Sequence, residues 1–222
     1  MEFLLVRHGE SEGNRDGIMQ GSGEYPLTDL GRAQADQLAR FLLERRISWS
    51  HAFSSPLLRA RATCDALVAA GVGPAAGVDP DLREISAGSL EGLNREQIVA
   101  LHPTFMSRGI EGLGDFSEYG GESYDQMQQR VEQLIARHAP PARRRSDDRV
   151  LFVSHGGLLF QLVKRLVCLP VPRVLILRLG NCCATLIRMR ERRGLFLGEI
   201  AWHVPLELTG PVAESDGGAL FR

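Results

Sequence analysis

Two short words in the chain place a histidine and a glycine at the end of an apolar run. They are Val6-Arg7-His8-Gly9 and Val153-Ser154-His155-Gly156. Imidazole is the side chain best suited to nucleophilic and proton-transfer work near neutral pH. Arg7, beside His8, adds a permanent cation whose planar donors match an oxyanion. A third word, Ser54-Ser55-Pro56-Leu57-Leu58-Arg59, runs from a short strand into a helix with Arg59 in its first turns. Helix N-termini attract anions. Two arginines, two histidines and a helix start around one point describe a pocket for a phosphoryl group. Phosphoryl transfer asks for little beyond a nucleophile, positioning and charge stabilisation. Each piece alone is weak. An Arg-His pair is common on surfaces, a lone strand-end histidine is usually structural, and Arg61 reads as part of a solvated helix face. The ordered conjunction carries the inference.

These residues meet only if the elements bearing them do. Phe3–Val6 and Val150–Val153 are continuous apolar runs and read as buried central strands. Thr28 reads as an N-cap for a helix running to about Arg45. Ala52–Ser54 reads as a strand, and Pro56 as the N1 residue of a helix to about Ala70. A short strand is expected near Val78 and a helix over Arg95–Leu101. Ser123-Tyr124-Asp125-Gln126 has the form of a capping box, opening a helix that Pro140 stops. Another helix should cover about Gly157 to Val167. Residues 173–180, 182–189 and 195–202 read as strands, the last two as a hairpin around Arg193-Gly194. Strand and helix alternate, which predicts an α/β fold with a mostly parallel sheet. Ligands of such sheets bind at the carboxyl ends of the strands, where both histidines fall.

The whole chain narrows the classes. It has 222 residues, 44% hydrophobic and 24% charged, the profile of one ordinary globular domain over 1–222. A net charge of -1 speaks against nucleic acid or acidic membrane as partner. Of the 26 basic side chains only Lys164 is a lysine. No two of Cys64, Cys168, Cys182 and Cys183 form a C-x-x-C pair, and Cys182 and Cys183 should point to opposite faces of a strand, so no zinc site or disulfide framework is expected. The run Phe3–Val6 is too short for a signal peptide, and a cytoplasmic protein is the simplest expectation.

At this point the sequence resembles the histidine phosphatase superfamily, also called phosphoglycerate mutase-like. The resemblance rests on Leu5-Val6-Arg7-His8-Gly9-Glu10-Ser11, Asn14, Gln20-Gly21, Pro26-Leu27-Thr28, Gly31 and Gln34-Ala35. It continues through Ser54–Ala60, Leu82-Arg83-Glu84-Ile85, Gly88, Leu90-Glu91-Gly92, Gly120-Gly121-Glu122-Ser123 and Val153-Ser154-His155-Gly156-Gly157. It implies a three-layer α/β/α sandwich with the site at the strand mouths. His8 would be phosphorylated transiently, and Arg7, Arg59 and a protonated His155 would hold the phosphoryl oxygens. Glu84 would donate the proton, and Asn14, Gln20, Gly21 and the backbone at Gly156 would line the phosphate pocket. Neither metal nor cofactor is expected, and the partner would be a small-molecule phosphate monoester. The residues alone leave the acid open among Glu84, Glu91, Glu10 and Glu12, although the family pattern makes Glu10 structural.

The details resemble the phosphatase branch. Glu12-Gly13-Asn14 lacks the tryptophan that mutases usually show before the asparagine, Gln20-Gly21-Ser22 lacks their Gly-Trp, and Glu84-Ile85-Ser86-Ala87-Gly88 lacks their His-Tyr. The stretch from Glu84 to His155 is also short for a mutase lid. The expectation is therefore a metal-independent phosphomonoesterase. The alternatives are cofactor-dependent phosphoglycerate mutase-type transfer and, more distantly, a non-catalytic binding module. Residues 102–121 read as an excursion over the pocket, with Phe105, Met106, Phe116 and Tyr119 either lining a lid or anchoring the loop. Arg108 is its one basic residue, beside Glu111, Asp115 and Glu118. Residues 210–222 read as a loose tail. Oligomeric state has no signature in the sequence.

Overall fold

The computed structural model of the chain describes residues 1–107, 115–140, 147–167, 179–192 and 195–204. Six strands form one sheet: β1 (Glu2–Arg7), β2 (His51–Ser54), β3 (Gly77–Val78), β4 (Arg149–Ser154), β5 (Ala184–Arg192) and β6 (Leu195–Val204). Their order is β3-β2-β4-β1-β5-β6. The pairs β1–β4, β2–β4 and β2–β3 are parallel, whereas β5 runs antiparallel to both β1 and β6. The helices are α1 (Glu12–Arg15), α2 (Asp29–Glu44), α3 (Leu58–Ala69), α4 (Arg95–Leu101), α5 (Pro103–Ser107), α6 (Tyr124–His138) and α7 (Gly156–Leu166). The fold is α/β, as the alternation predicts.

The two central strands carry no polar face because both faces are covered. Successive side chains of a strand alternate between faces. Phe3 and Leu5 of β1, with Val150 and Phe152 of β4, enter a core shared with α6 and α7. Leu4 and Val6, with Leu151 and Val153, enter a second core shared with α2 and α3. Helices on both faces make the three layers. Cys183 and Cys182 fall into these two cores respectively. They sit just before β5 rather than in a strand, with Cys182 at a φ of 53°. Burial raises both thiols, Cys183 to about 11, so neither is a ready nucleophile.

Helix boundaries follow local chemistry in most places. The Thr28 hydroxyl accepts from the Gly31 amide and caps α2, and Ser123 with Gln126 forms the expected capping box of α6. At α3 the expectation fails. Pro56 lies outside the helix, whose N-cap is Leu57 and whose first amide, Leu58 N–H, donates to Glu24 at 2.8 Å. A carboxylate from a distant loop therefore takes the first amide of this helix.

The described part of the 102–121 segment is held by its aromatics. Phe105 and Phe116 are buried with ring centroids 6.2 Å apart, and Tyr119 meets Phe105 edge-on at 5.7 Å. That is the anchoring role. The side chain of Met106, Arg108 and Glu111, Cys168, most of the strand expected over 173–180 and the 210–222 tail lie outside the described residues. Among the described residues no helix is long and apolar enough to cross a membrane, and no cluster of three or more His, Cys, Asp or Glu is placed to hold a metal.

Candidate active site

Parallel pairing sets the ends of β1 and β4 side by side, with Arg7 in register with Ser154. The next residues, His8 and His155, come out at the same mouth with ring centroids 5.0 Å apart. Both are buried. The His8 amide donates to the Ser154 carbonyl at 2.9 Å, tying one strand end to the other.

The His8 ring is fixed in one tautomer. Its Nδ1 lies 2.7 Å from the Gly9 carbonyl oxygen. A carbonyl only accepts, so Nδ1 carries the proton and Nε2 carries the lone pair. Burial pushes this imidazole well below the usual histidine range, and the charges of Arg7 and Arg59 push it further the same way. The neutral, nucleophilic form is thus the one the surroundings favour.

The Gly9 bend needs a glycine. A Cβ there would lie 2.4 Å from the Gly31 carbonyl oxygen at the start of α2, and one at Gly31 would lie 2.0 Å from the Glu10 carbonyl oxygen. Thr63 on α3 accepts from the Gly9 amide at 3.0 Å and completes the turn. Glu10 accepts from the Thr28 hydroxyl at 2.8 Å, a structural bond in keeping with the family pattern.

Arg59 projects from the first turn of α3 and is 1% exposed. Its guanidinium donates to the Gly23 carbonyl at 2.7 Å and the Gly21 carbonyl at 2.9 Å, both neutral acceptors. Its Nε has no hydrogen-bond partner. Burial lowers this guanidinium to about 10, with Glu84 and Glu24 opposing, so it stays a cation. Arg7 donates to the Leu179 carbonyl at 2.5 Å. Gly21 thereby serves the pocket through Arg59, with φ at 46° and a would-be Cβ 2.2 Å from the Glu91 carboxylate.

His155 is the N-cap residue of α7. Its Nε2 meets the Ser55 hydroxyl at 2.7 Å, and its Nδ1 is buried with no partner. Burial, then Arg59, His8 and Arg7, hold it well below the ordinary histidine value. The unliganded surroundings thus disfavour the protonated form that the resemblance implies. Only the field of a bound dianion would reverse that sign.

Glu84 reaches the start of α7. Its carboxylate accepts from the amides of Ile85, Gly157 and Leu158, each at 3.0 Å. The close approach needs Gly157, where a Cβ would lie 2.8 Å from the carboxylate, and not Gly156, whose nearest neighbour would be Arg7 at 3.5 Å. Glu84 is the acid whose charge acts on both Arg7 and Arg59, while Glu91 accepts from Ser22, Ser86 and the Ala87 amide. Glu10 is tied to Thr28, and Glu12 is exposed on α1.

Asn14 and Gln20 form one wall. The Asn14 Oδ1 accepts from the Ser11 amide at 3.2 Å and Asn181 at 3.1 Å, and the Gln20 Oε1 from the Ser11 hydroxyl at 2.8 Å. With the oxygens so engaged, the NH2 group is the remaining hydrogen-bonding end of each carboxamide. Asn181 also donates to the His8 carbonyl at 3.1 Å. Sequence reasoning missed Asn181 and Thr63, and it gave Ser55 no role. An isolated hydroxyl or amide leaves no periodic or spacing signal.

Comparison with known proteins places this geometry. The sequence profile of the histidine phosphatase superfamily (branch 1) matches residues 3–198. The chain is 32% identical over 220 residues to a probable phosphoglycerate mutase GpmB of Escherichia fergusonii, covering 99% of this chain and 97% of that protein. It superposes on a mycobacterial glucosyl-3-phosphoglycerate phosphatase complexed with VO3 at a TM-score of 0.75, with 28% identity over 90% of this chain and 97% of the other. The alpha-ribazole phosphatase of Shigella flexneri gives 0.71, with 26% identity over 90% and 95% of the two chains.

Proposed function

From the premise that the chain belongs to the histidine phosphatase superfamily, we propose that it is a metal-independent phosphomonoesterase acting through a phosphohistidine on His8. The observation that carries the reading is the fixed tautomer of His8, Nδ1–H on the Gly9 carbonyl, in a pocket shared with Arg7, Arg59 and His155. In the first half-reaction Nε2 bonds to phosphorus as the ester P–O bond breaks, and the leaving alkoxide takes a proton from Glu84. The Nδ1–H stays on Gly9 and shares the positive charge that develops on the ring. Arg7, Arg59 and the His155 Nδ1 stabilise the equatorial oxygens, a role worth most where water is excluded. In the second half the Glu84 carboxylate takes a proton from water, whose oxygen displaces phosphate from Nε2 and restores the neutral ring.

Two similar structures are named as a glucosyl-3-phosphoglycerate phosphatase and an alpha-ribazole phosphatase, and they support a phosphorylated small metabolite as substrate. The relative named a probable mutase favours a second reading, phosphoryl exchange between positions of a phosphoglycerate. One experiment separates the two. Phosphate release from para-nitrophenyl phosphate and a panel of phosphorylated metabolites is measured with EDTA, for wild type and His8→Ala. Turnover by the wild type alone supports the proposal. Activity surviving in the variant removes His8 as nucleophile. Absent hydrolysis, together with isomerisation of 3-phosphoglycerate primed by 2,3-bisphosphoglycerate, selects the mutase.

A further inference from the structure

Outside the pocket, α6 carries a buried cation that the chemistry above leaves unused. Arg130 is 4% exposed and Glu122 9%. They pair bidentately, Nε to Oε1 at 2.8 Å and Nη2 to Oε2 at 2.5 Å. The remaining arm of the guanidinium, Nη1, donates to two backbone carbonyls, Asp81 at 2.8 Å and Arg83 at 2.7 Å. Arg83 is the residue before Glu84. On the other side of Glu84, the Glu122 amide donates to the Ser86 carbonyl at 2.9 Å. The same ion pair therefore grips the chain on both flanks of the candidate proton donor.

Leu82 and Ile85 anchor this stretch in the core, and the ion pair holds it from the opposite, polar side. A polar groove of about 350 Å³, lined by Asp81, Arg83, Ser86, Glu122 and Arg130 among others, backs this stretch of chain. A buried ion pair adds little stability over apolar residues of the same shape, so its presence calls for a geometric reason. Arginine suits that role because its fork serves a carboxylate and two carbonyls at once, which a lysine cannot do.

We propose that the Glu122–Arg130 pair positions Glu84 for protonation of the leaving group, so that both are positioning residues of the reaction. The inference rests on Glu84 as proton donor. Displacing an acid by a fraction of an ångström weakens proton transfer while leaving the anion pocket intact. The effect must then depend on the leaving group. An alkoxide needs the proton, whereas para-nitrophenolate departs without it.

The test compares kcat/KM for an alkyl phosphate, glycerol 2-phosphate or the best alkyl ester of the panel, with kcat/KM for para-nitrophenyl phosphate. This constant reports on events up to the transfer to His8, so later hydrolysis does not mask the ratio. The variants are Arg130→Lys, which keeps the charge and loses the fork, and the double variant Glu122→Gln, Arg130→Met, which leaves no buried charge unpaired. Glu84→Gln is the reference. The expected result is an alkyl-to-aryl ratio lowered about tenfold or more in all three, with the aryl ester affected least. A ratio unchanged in both folded positioning variants, with Glu84→Gln lowering it, overturns the positioning role alone. A ratio unchanged in Glu84→Gln removes the proton donor, and the proposal with it.

Discussion

Replacing Arg59 by methionine keeps a buried unbranched stem and removes the charge. With 1% of the residue exposed, solvent barely screens what is lost. One preorganised donor to a developing phosphoryl charge is worth about 3 to 4 kcal/mol, or about 10²- to 10³-fold in rate. The expected kcat/KM for para-nitrophenyl phosphate falls by that factor, and inhibition by orthovanadate weakens in parallel. Stability should move much less. The bonds to the Gly21 and Gly23 carbonyls are lost at about 1 kcal/mol each. Against that, a cation no longer has to be buried near Arg7. A net change of about 1 kcal/mol moves the midpoint by about 2–4 °C in a chain of this size. A third signature is spectroscopic. Arg59 helps depress His8 and His155, so both imidazoles should titrate closer to the ordinary value, read from their NMR ring protons. A loss below about tenfold with unchanged vanadate inhibition would refute the assignment of Arg59 to the phosphoryl group.

Three further outcomes are expected. Ser55→Ala leaves the His155 Nε2 without its partner, so urea unfolding should show a loss of about 1–3 kcal/mol together with reduced turnover; equal stability would mean the hydroxyl does not hold the ring. Gly9→Ala drives a Cβ to within 2.4 Å of a backbone oxygen and should destabilise by about 1–3 kcal/mol, whereas Gly156→Ala meets nothing closer than 3.5 Å and should be neutral or slightly stabilising; equal melting temperatures for the two would contradict the packing at the mouth. Both buried imidazoles resist protonation in the folded state, while the unfolded chain takes up those protons near pH 6.5. Stability should therefore be flat above about pH 6.5 and fall below it, each histidine contributing up to about 1.4 kcal/mol per pH unit until its lowered folded value is reached; the slope should halve in His155→Asn, and an unchanged slope would exclude His155 as a source.

Local chemistry made much of the fold legible. The runs at Phe3–Val6 and Val150–Val153 are apolar on both faces because two layers cover them. Thr28 and Ser123 cap their helices by bonds to residues three positions on, a pattern visible in the local sequence. What escaped was decided at long range. Glu24 caps α3 from across a loop, so Pro56 misled. Cys182 and Cys183 do face opposite layers, but from a turn with one residue at positive φ instead of from a strand. In the site, charged and imidazole groups stood out by type, while Thr63, Ser55 and Asn181 act through bonds to residues 54 to 173 positions away. The charge state of His155 is likewise set at long range, since burial beside two arginines is a property of the assembled mouth and not of the motif.

The place of β1 in the sheet bears on how the chain comes together during synthesis. β1, which leads into His8, is made before the other five strands, yet its neighbours on either side are β4 and β5. Until residue 149 and beyond have emerged, Phe3–Val6 has no strand to pair with. Pairings this distant are slow to form, and an unpaired apolar strand is the kind of surface on which nascent chains aggregate or are held by chaperones. The mouth of the pocket closes last of all, when Asn181 and Cys182 reach the His8 carbonyl. A ribosome-bound chain that stops short of Asn181 would therefore carry His8 and both arginines without the contacts that close the mouth.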